Sequence, residues 1–186
     1  MIQFRDGFYA DVRTEDRSRT TISYTAGVLE EMKNRTEQRA FLRVYDGKLW
    51  YYAAVTDLTH LQKTLDGLYD AATENPRILE DPIVRRFERN HDTLLNFTDC
   101  SVRDIPVRKK QELLLSYLPL LSEDSCITMP QGTYLDRNSL FHFQSSLGAD
   151  ITYDYQTCGI AFSCSMAEGE KKFSGHWQKG GIRFDE

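Results

Sequence analysis

The sequence predicts an α+β protein of two small units, strands then a helix followed by a helix then strands, with mostly antiparallel sheets. Three observations carry that reading. Apolar and polar residues alternate in short runs as far as Val55. The period then changes to three and four between Leu58 and Ala72, and after Pro106 a helical stripe is again followed by alternating runs. The expected division is residues 1–75 for an N-terminal α+β domain, 76–105 for an irregular linker and 106–186 for a middle α+β domain.

In the first segment, Phe8, Ala10 and Val12 alternate with Tyr9, Asp11 and Arg13, the two-residue period of a half-buried strand over Phe8–Glu15. Thr20–Thr25, rich in β-branched residues and Tyr, predicts a second strand. Ala26-Gly27 can turn the chain into a weaker third strand at Val28–Asn34. Ala40–Tyr45 continues the pattern, with Phe41 and Leu42 unassigned between the two faces. Asp46-Gly47 is the sharpest hairpin signal, because both central positions of a type I′ turn favour Asn, Asp or Gly. It leads into an aromatic strand, Lys48–Val55, carrying Trp50, Tyr51 and Tyr52. Leu58, Leu61, Leu65, Leu68 and Ala72 then form one face of a helix, with Thr56 or Asp57 as its natural cap.

Asn75-Pro76 and Asp81-Pro82 bias the residues before each proline away from helix, so 76–105 reads as an exposed connection with a helical turn at Ile83–Phe87. Asp104-Ile105-Pro106 opens a second helix, since proline's missing N–H costs nothing in a first turn. Val107, Leu114, Leu118 and Leu121 form its stripe, and Pro119 disturbs its end. Candidate strands follow at Cys126–Leu135, Ser139–Ser145, Ala149–Tyr155, Gly159–Met166 and Lys172–Trp177. Asp136-Arg137-Asn138, Ser146-Leu147-Gly148 and Glu168-Gly169-Glu170 read as turns between them. No internal repeat relates the halves.

Composition is that of an ordinary globular chain, with 40% hydrophobic and 27% charged residues. The net charge of −5, with acids and bases interspersed as in Arg13-Thr14-Glu15-Asp16-Arg17, argues against direct nucleic-acid binding, which needs a basic face. No run approaches the ~20 apolar residues of a membrane span, so no membrane partner is expected. The Met1–Asp6 stretch lacks the basic segment and apolar core of a secretory signal. Cys100, Cys126, Cys158 and Cys164 are too scattered for a disulfide framework, and a reduced cytoplasmic protein is expected.

The parts of a catalytic site are missing by several independent criteria. His60, His91, His142 and His176 are followed by Leu, Asp, Phe and Trp, and no two of them stand a helical turn apart as a zinc helix needs. His60 falls on the first helix, His142 in a strand between two Phe, and His91 and His176 in loop-like segments. A metal site drawn from Cys126, His142, Cys158 and Cys164 is the less favoured reading beside four small, partly buried side chains without chemistry. There is no Gly-x-Ser-x-Gly elbow, and Gly180-Gly181 belongs to neither phosphate-loop pattern. Glu30-Glu31, Glu80-Asp81 and Glu123-Asp124 are adjacent in sequence, and neighbours in regular structure point in different directions, so they read as surface charge.

The order of segments is more specific than any one of them. Ala10-Asp11-Val12-Arg13 and Glu15 lead to Gly27-Val28-Leu29-Glu30-Glu31, then Arg43-Val44-Tyr45-Asp46-Gly47-Lys48-Leu49-Trp50 and the Leu58–Ala72 helix. This resembles the first domain of the TldD/PmbA family, once described as modulators of DNA gyrase, where "AD-R-E", "G-LEE" and an "R-V--DG-WG" hairpin follow one another. The Lys109–Leu114 helix, the Ser145-Ser146-Leu147-Gly148 turn and the Gly180-Gly181-Ile182-Arg183-Phe184-Asp185-Glu186 ending resemble the family's second domain, whose corresponding ending reads "GGRxxYE". One departure is that Tyr51-Tyr52 follows Trp50 where the family often has Gly.

The resemblance implies a zinc metallopeptidase acting on flexible or unfolded peptides. It would be dimeric, with itself or with a TldD/PmbA-type partner subunit. The family holds zinc through a downstream His-Glu-x-x-x-His helix and a further Cys, none of which has a counterpart here. The expectation is therefore an N-terminal portion with no catalytic, cofactor-binding or metal-ligating residues, inactive alone, with zinc expected only in a C-terminal domain beyond Glu186. It would contribute to dimer assembly and to the substrate chamber. A non-enzymatic α+β protein-interaction module is the alternative, and a small Cys/His metal-binding regulator a third reading.

Overall fold

The alternating runs do form strands, but fewer and longer ones than their local punctuation suggests. The computed structural model describes residues 2–185, so Met1 and the Glu186 that ends the family-like terminus lie outside the described residues. Along the chain come β1 (Tyr9–Thr25), β2 (Val28–Tyr45), β3 (Trp50–Val55), α1 (Leu61–Ala71), β4 (His91–Leu94), α2 (Val107–Tyr117), β5 (Ile127–Ser145), β6 (Asp150–Glu168) and β7 (Lys171–Gly181). Strand order is β3-β2-β1-β5-β6-β4, with β7 also paired to β6. Pairing is antiparallel for β2–β3 and β6–β7 and parallel for β4–β6. The α+β class expected from the sequence is the class observed.

By spatial contact the chain forms two compact units that interleave along the sequence. Met1–Arg17, Glu37–Asn96 and Ser139–Asp154 make one; Ser18–Thr36, Phe97–Asn138 and Tyr155–Glu186 make the other. In unit 1, Ala10, Val12, Ala40, Leu42, Val44, Leu65 and Tyr69 form a buried cluster. Leu42 is fully buried while Phe41 is exposed and faces Tyr52, which settles the face left open by the sequence. Helix α1 begins at Leu61, later than the expected cap: His60 occupies the cap position without a capping hydrogen bond from its side chain. Asp57 instead accepts from the Thr59 N–H at 2.9 Å, a local turn that competes with helix. Leu58 still packs against the core from outside the helix.

The two hairpin signals exchange roles. Ala26 and Gly27 both have positive φ (48° and 79°), the geometry of a two-residue primed turn. Asp46-Gly47 instead opens a four-residue loop from Tyr45 to Trp50. The Asp46 carboxylate accepts from the N–H groups of Lys48 and Leu49, each at 2.8 Å, and from the Tyr51 hydroxyl at 3.2 Å. Burial alone would raise the Asp46 carboxyl; these donors, with the Thr73 N–H, outweigh it and hold the group below its ordinary value.

The segment 76–105 is more than an exposed connection. It contains β4, the expected helical turn at Val84–Arg86 and another at Ile78–Glu80, and it buries Ile78, Val84 and Val102. In unit 2, α2 lays Leu114 against Ile22, Tyr24, Tyr134 and Phe162. Its end tightens into a 3-10 turn at Leu118–Ser122, with Pro119 in the first turn. Gly132 lies beneath it, where an added Cβ would stand 2.7 Å from Leu118 Cδ2 and 3.1 Å from Phe162 Cε1, so the missing side chain lets the helix approach the sheet.

Candidate functional site

A concavity of unit 2 lies beside a buried polar cluster. Lys110, fully buried on α2, places Nζ 2.6 Å from Asp136 Oδ2 and donates to Thr20 Oγ1 at 3.0 Å. Asp136 also accepts from the Tyr134 hydroxyl at 2.8 Å and from the Thr20 N–H at 2.9 Å. A carboxylate with this many donors is stable without water. Burial, then the Asp136 charge, pushes the Tyr134 phenol far up, so it remains a neutral donor.

Tyr134 lines a cavity of about 380 Å³ together with Leu113, Tyr117, Ile160, Trp177 and Phe184. Tyr117 and Trp177 both pack on Phe162, with ring centroids 5.9 Å away in each case, and Phe184 meets Tyr134 edge-on at 6.2 Å. Lys179 and Arg183 stand at its rim with Asp185. Two glycines make room for this wall. Gly159 of β6 faces Gly180 of β7, and a Cβ on Gly159 would sit 2.7 Å from the Lys179 carbonyl oxygen. Gly180-Gly181 is therefore a close-approach pair of strands, not a loop. The returning segment is tied down by Gln156, whose amide donates to the Ile182 and Cys100 carbonyls at 2.7 and 3.0 Å, while its oxygen accepts from the Val102 N–H at 3.0 Å. Cys158 Sγ donates to the Arg183 carbonyl at 3.1 Å. The size and apolar lining suit an apolar ligand group.

The residues weighed as metal or acid–base candidates are dispersed. His60 is exposed, its Nδ1 2.7 Å from Thr59 Oγ1. His142 of unit 1 has Nε2 2.7 Å from Asp150 Oδ1, and the hydrogen bonds from His142 and Gln144 hold the Asp150 carboxyl below its usual range. His91 lies in β4 rather than the loop-like segment expected, and His176 in β7, within the strand expected at Lys172–Trp177. Cys126, Cys158 and Cys164 belong to unit 2 and His142 to unit 1. Among the described residues no three His, Cys, Asp or Glu side chains are gathered so as to hold a metal ion, so the donor set does not fit zinc. No helix among them is long and apolar enough to cross a membrane. Sequence reasoning missed the pairs built on buried carboxylates in unit 1: Arg43 grips Asp11 at 2.6–3.2 Å, and Glu15 accepts from Arg39 at 2.6 Å and from Ser139 at 2.8 Å. Their only trace in the sequence is an acid on one strand and an Arg on the next.

The fold is a long-stranded α+β sheet, and its unit 2 carries an aromatic-lined cavity. Residues 10–75 match the family model for PmbA/TldA metallopeptidase domain 1, which supports the resemblance to the TldD/PmbA family. The fold agrees with solved structures over nearly the whole chain. A proposed modulator of DNA gyrase from Thermotoga maritima superposes with a TM-score of 0.74 at 14% identity, covering 96% of this chain and 40% of that one. Another from Bacteroides thetaiotaomicron gives 0.73 at 17% identity, covering 95% and 41%. TldE from Thermococcus kodakarensis gives 0.64 at 11% identity, covering 92% and 39%. The chain thus spans about two fifths of the length of these structures. No curated protein matches the sequence.

Proposed function

We propose that this chain supplies the non-catalytic first part of a TldD/PmbA-type metallopeptidase that acts on unfolded or flexible peptides in the cytoplasm, contributing to dimer assembly and to the chamber that admits substrate. The observation that carries the reading is the match of residues 10–75 to the family's first metallopeptidase domain. The likeness in fold over at least 92% of the chain supports it. On this reading the hydrolytic group belongs elsewhere in such an assembly, and the part played here is binding and assembly.

The test is a two-part assay. With zinc and a flexible peptide such as an unfolded casein fragment, the chain alone is expected to bind peptide without cleaving it. Light scattering after mixing with a zinc-bearing TldD-type subunit is expected to show a stable complex. Zinc-dependent cleavage by the chain alone, or failure to associate with itself or with such a subunit, overturns the reading.

A further inference from the structure

The cavity of unit 2 gathers solvent-facing aromatic rings and two cations, and the peptide-handling reading employs neither. Trp177 and Tyr117 each turn one side to Phe162, yet they remain 50% and 41% exposed. Lys179 follows Trp177 by two residues on β7, so both stand on the same face of the strand. Their register partners on β6 are Ile160 and Phe162, and Ile160 lines the cavity with them. The next segment is fixed by its backbone: Gln156 donates to the Ile182 carbonyl at 2.7 Å and Cys158 Sγ to the Arg183 carbonyl at 3.1 Å. Arg183 itself is exposed. The lining therefore sets Lys179 and Arg183 against a single carboxylate, Asp185, in a chain whose net charge is −5.

We propose that this cavity is a small-molecule site for a planar aromatic carboxylate, whose ring enters between Tyr117, Trp177 and Phe184 and whose carboxylate meets Arg183 and Lys179. A volume of about 380 Å³ falls within the range of small-ligand sites and has room for one bicyclic ring. Aromatic walls favour a flat ring, which makes offset and edge-to-face contacts with them. Such a ring also removes the exposed flanks of Tyr117 and Trp177 from water. The Tyr134 hydroxyl is already donated to Asp136, so the inner wall offers its ring rather than a free donor, and the ligand's polar end belongs at the rim. There the planar guanidinium of Arg183 suits a carboxylate, which it can hold through two parallel N–H···O bonds. A cation on the same ring would meet two like charges and be rejected. The inference goes beyond the peptide-handling reading, and its failure leaves that reading intact.

Protein-observed NMR titration of the full chain tests this with indole-3-propionate. Its amide removes the charge, tryptamine reverses it, and cyclohexanepropionate keeps the charge without a flat ring. The acid should shift the indole N–H signal of Trp177 and leave that of Trp50, in unit 1, in place. It should bind about tenfold more tightly than the amide, the scale of a hydrogen bond to a charged group. Cyclohexanepropionate should bind more weakly than the acid, and tryptamine not at all. Arg183→Gln should abolish the acid's advantage and leave the amide's affinity unchanged, whereas a damaged fold would weaken both. Trp177→Leu, read on the Gly180 and Gly181 amides, should weaken acid and amide alike by roughly fivefold, the scale of one aromatic contact. The assignment is overturned if no ligand moves the Trp177 signal, if the amide binds as tightly as the acid, or if Arg183→Gln leaves the preference for the acid intact. Self-association of the chain that Trp177→Leu abolishes, with the acid unbound, would give the cavity to a second copy and overturn it as well.

Discussion

Lys110 and Asp136 show how a single ion pair can organise a core. Both side chains are essentially inaccessible, and their contact of 2.6 Å is backed by Thr20 and Tyr134. Removing one partner leaves the other charged and buried, so Lys110→Ala should cost about 3–5 kcal/mol in urea unfolding. Lys110→Met combined with Asp136→Leu should recover most of that loss, because a pair of apolar side chains leaves nothing unsatisfied; a double variant as unstable as the single one would show that packing, not charge, sets the cost. Asp46 makes a different, pH-linked contribution. Its folded-state pKa lies below that of the unfolded chain, so the stability it adds is complete above the unfolded carboxylate value of about 3.9 and is lost as pH falls through the lower, folded one. Asp46→Asn should therefore lower stability at neutral pH and flatten the acid limb of the stability–pH curve, measured by urea titrations at stepped pH.

At the scale of elements, the pairing of β7 with β6 depends on two facing glycines. A Cβ at Gly159 would meet the Lys179 carbonyl oxygen at 2.7 Å and Gly180 Cα at 3.1 Å, both backbone atoms that cannot rotate away. Gly159→Ala should cost about 1–3 kcal/mol by forcing the strands apart, and amide exchange should quicken in Lys171–Gly181 while α1 keeps its protection. Uniform exchange across the chain would instead point to global destabilisation. The same elements show what the sequence made legible. Periods of two and of three to four located every long strand and both helices, because amphipathicity is local. The joins between strands were not legible. Asp136-Arg137-Asn138 has turn composition, yet it runs through β5 because Asp136 takes Lys110 as its partner and Asn138 donates to Gln156. Buried side-chain bonds of that kind override turn preference, and they come from residues far along the chain. The pocket was hidden for the same reason: Tyr117, Tyr134, Trp177 and Phe184 come from α2, β5, β7 and the segment after it, with no motif spanning them.

Across the whole molecule, β1, β2, β5 and β6 each contribute residues to both compact units. A strand that unfolds in one unit loses its partners there and leaves its continuation in the other unit with frayed ends, which ties the two stabilities together. The two tryptophans report the units separately. Trp50 belongs to unit 1, stacked on Tyr45 at 4.7 Å with the Arg43 guanidinium 4.9 Å from its ring, and Trp177 to unit 2, stacked on Phe162. Trp177→Phe and Trp50→Phe thus give two single-tryptophan proteins, each reading one unit by fluorescence. Their urea midpoints should coincide with each other and with circular dichroism once each is corrected for the stability change of its own substitution, the signature of one cooperative transition. Separated midpoints, with Trp177 lost first, would mean that the unit holding the pocket opens while the family's first-domain core around Leu42 and Leu65 stays folded.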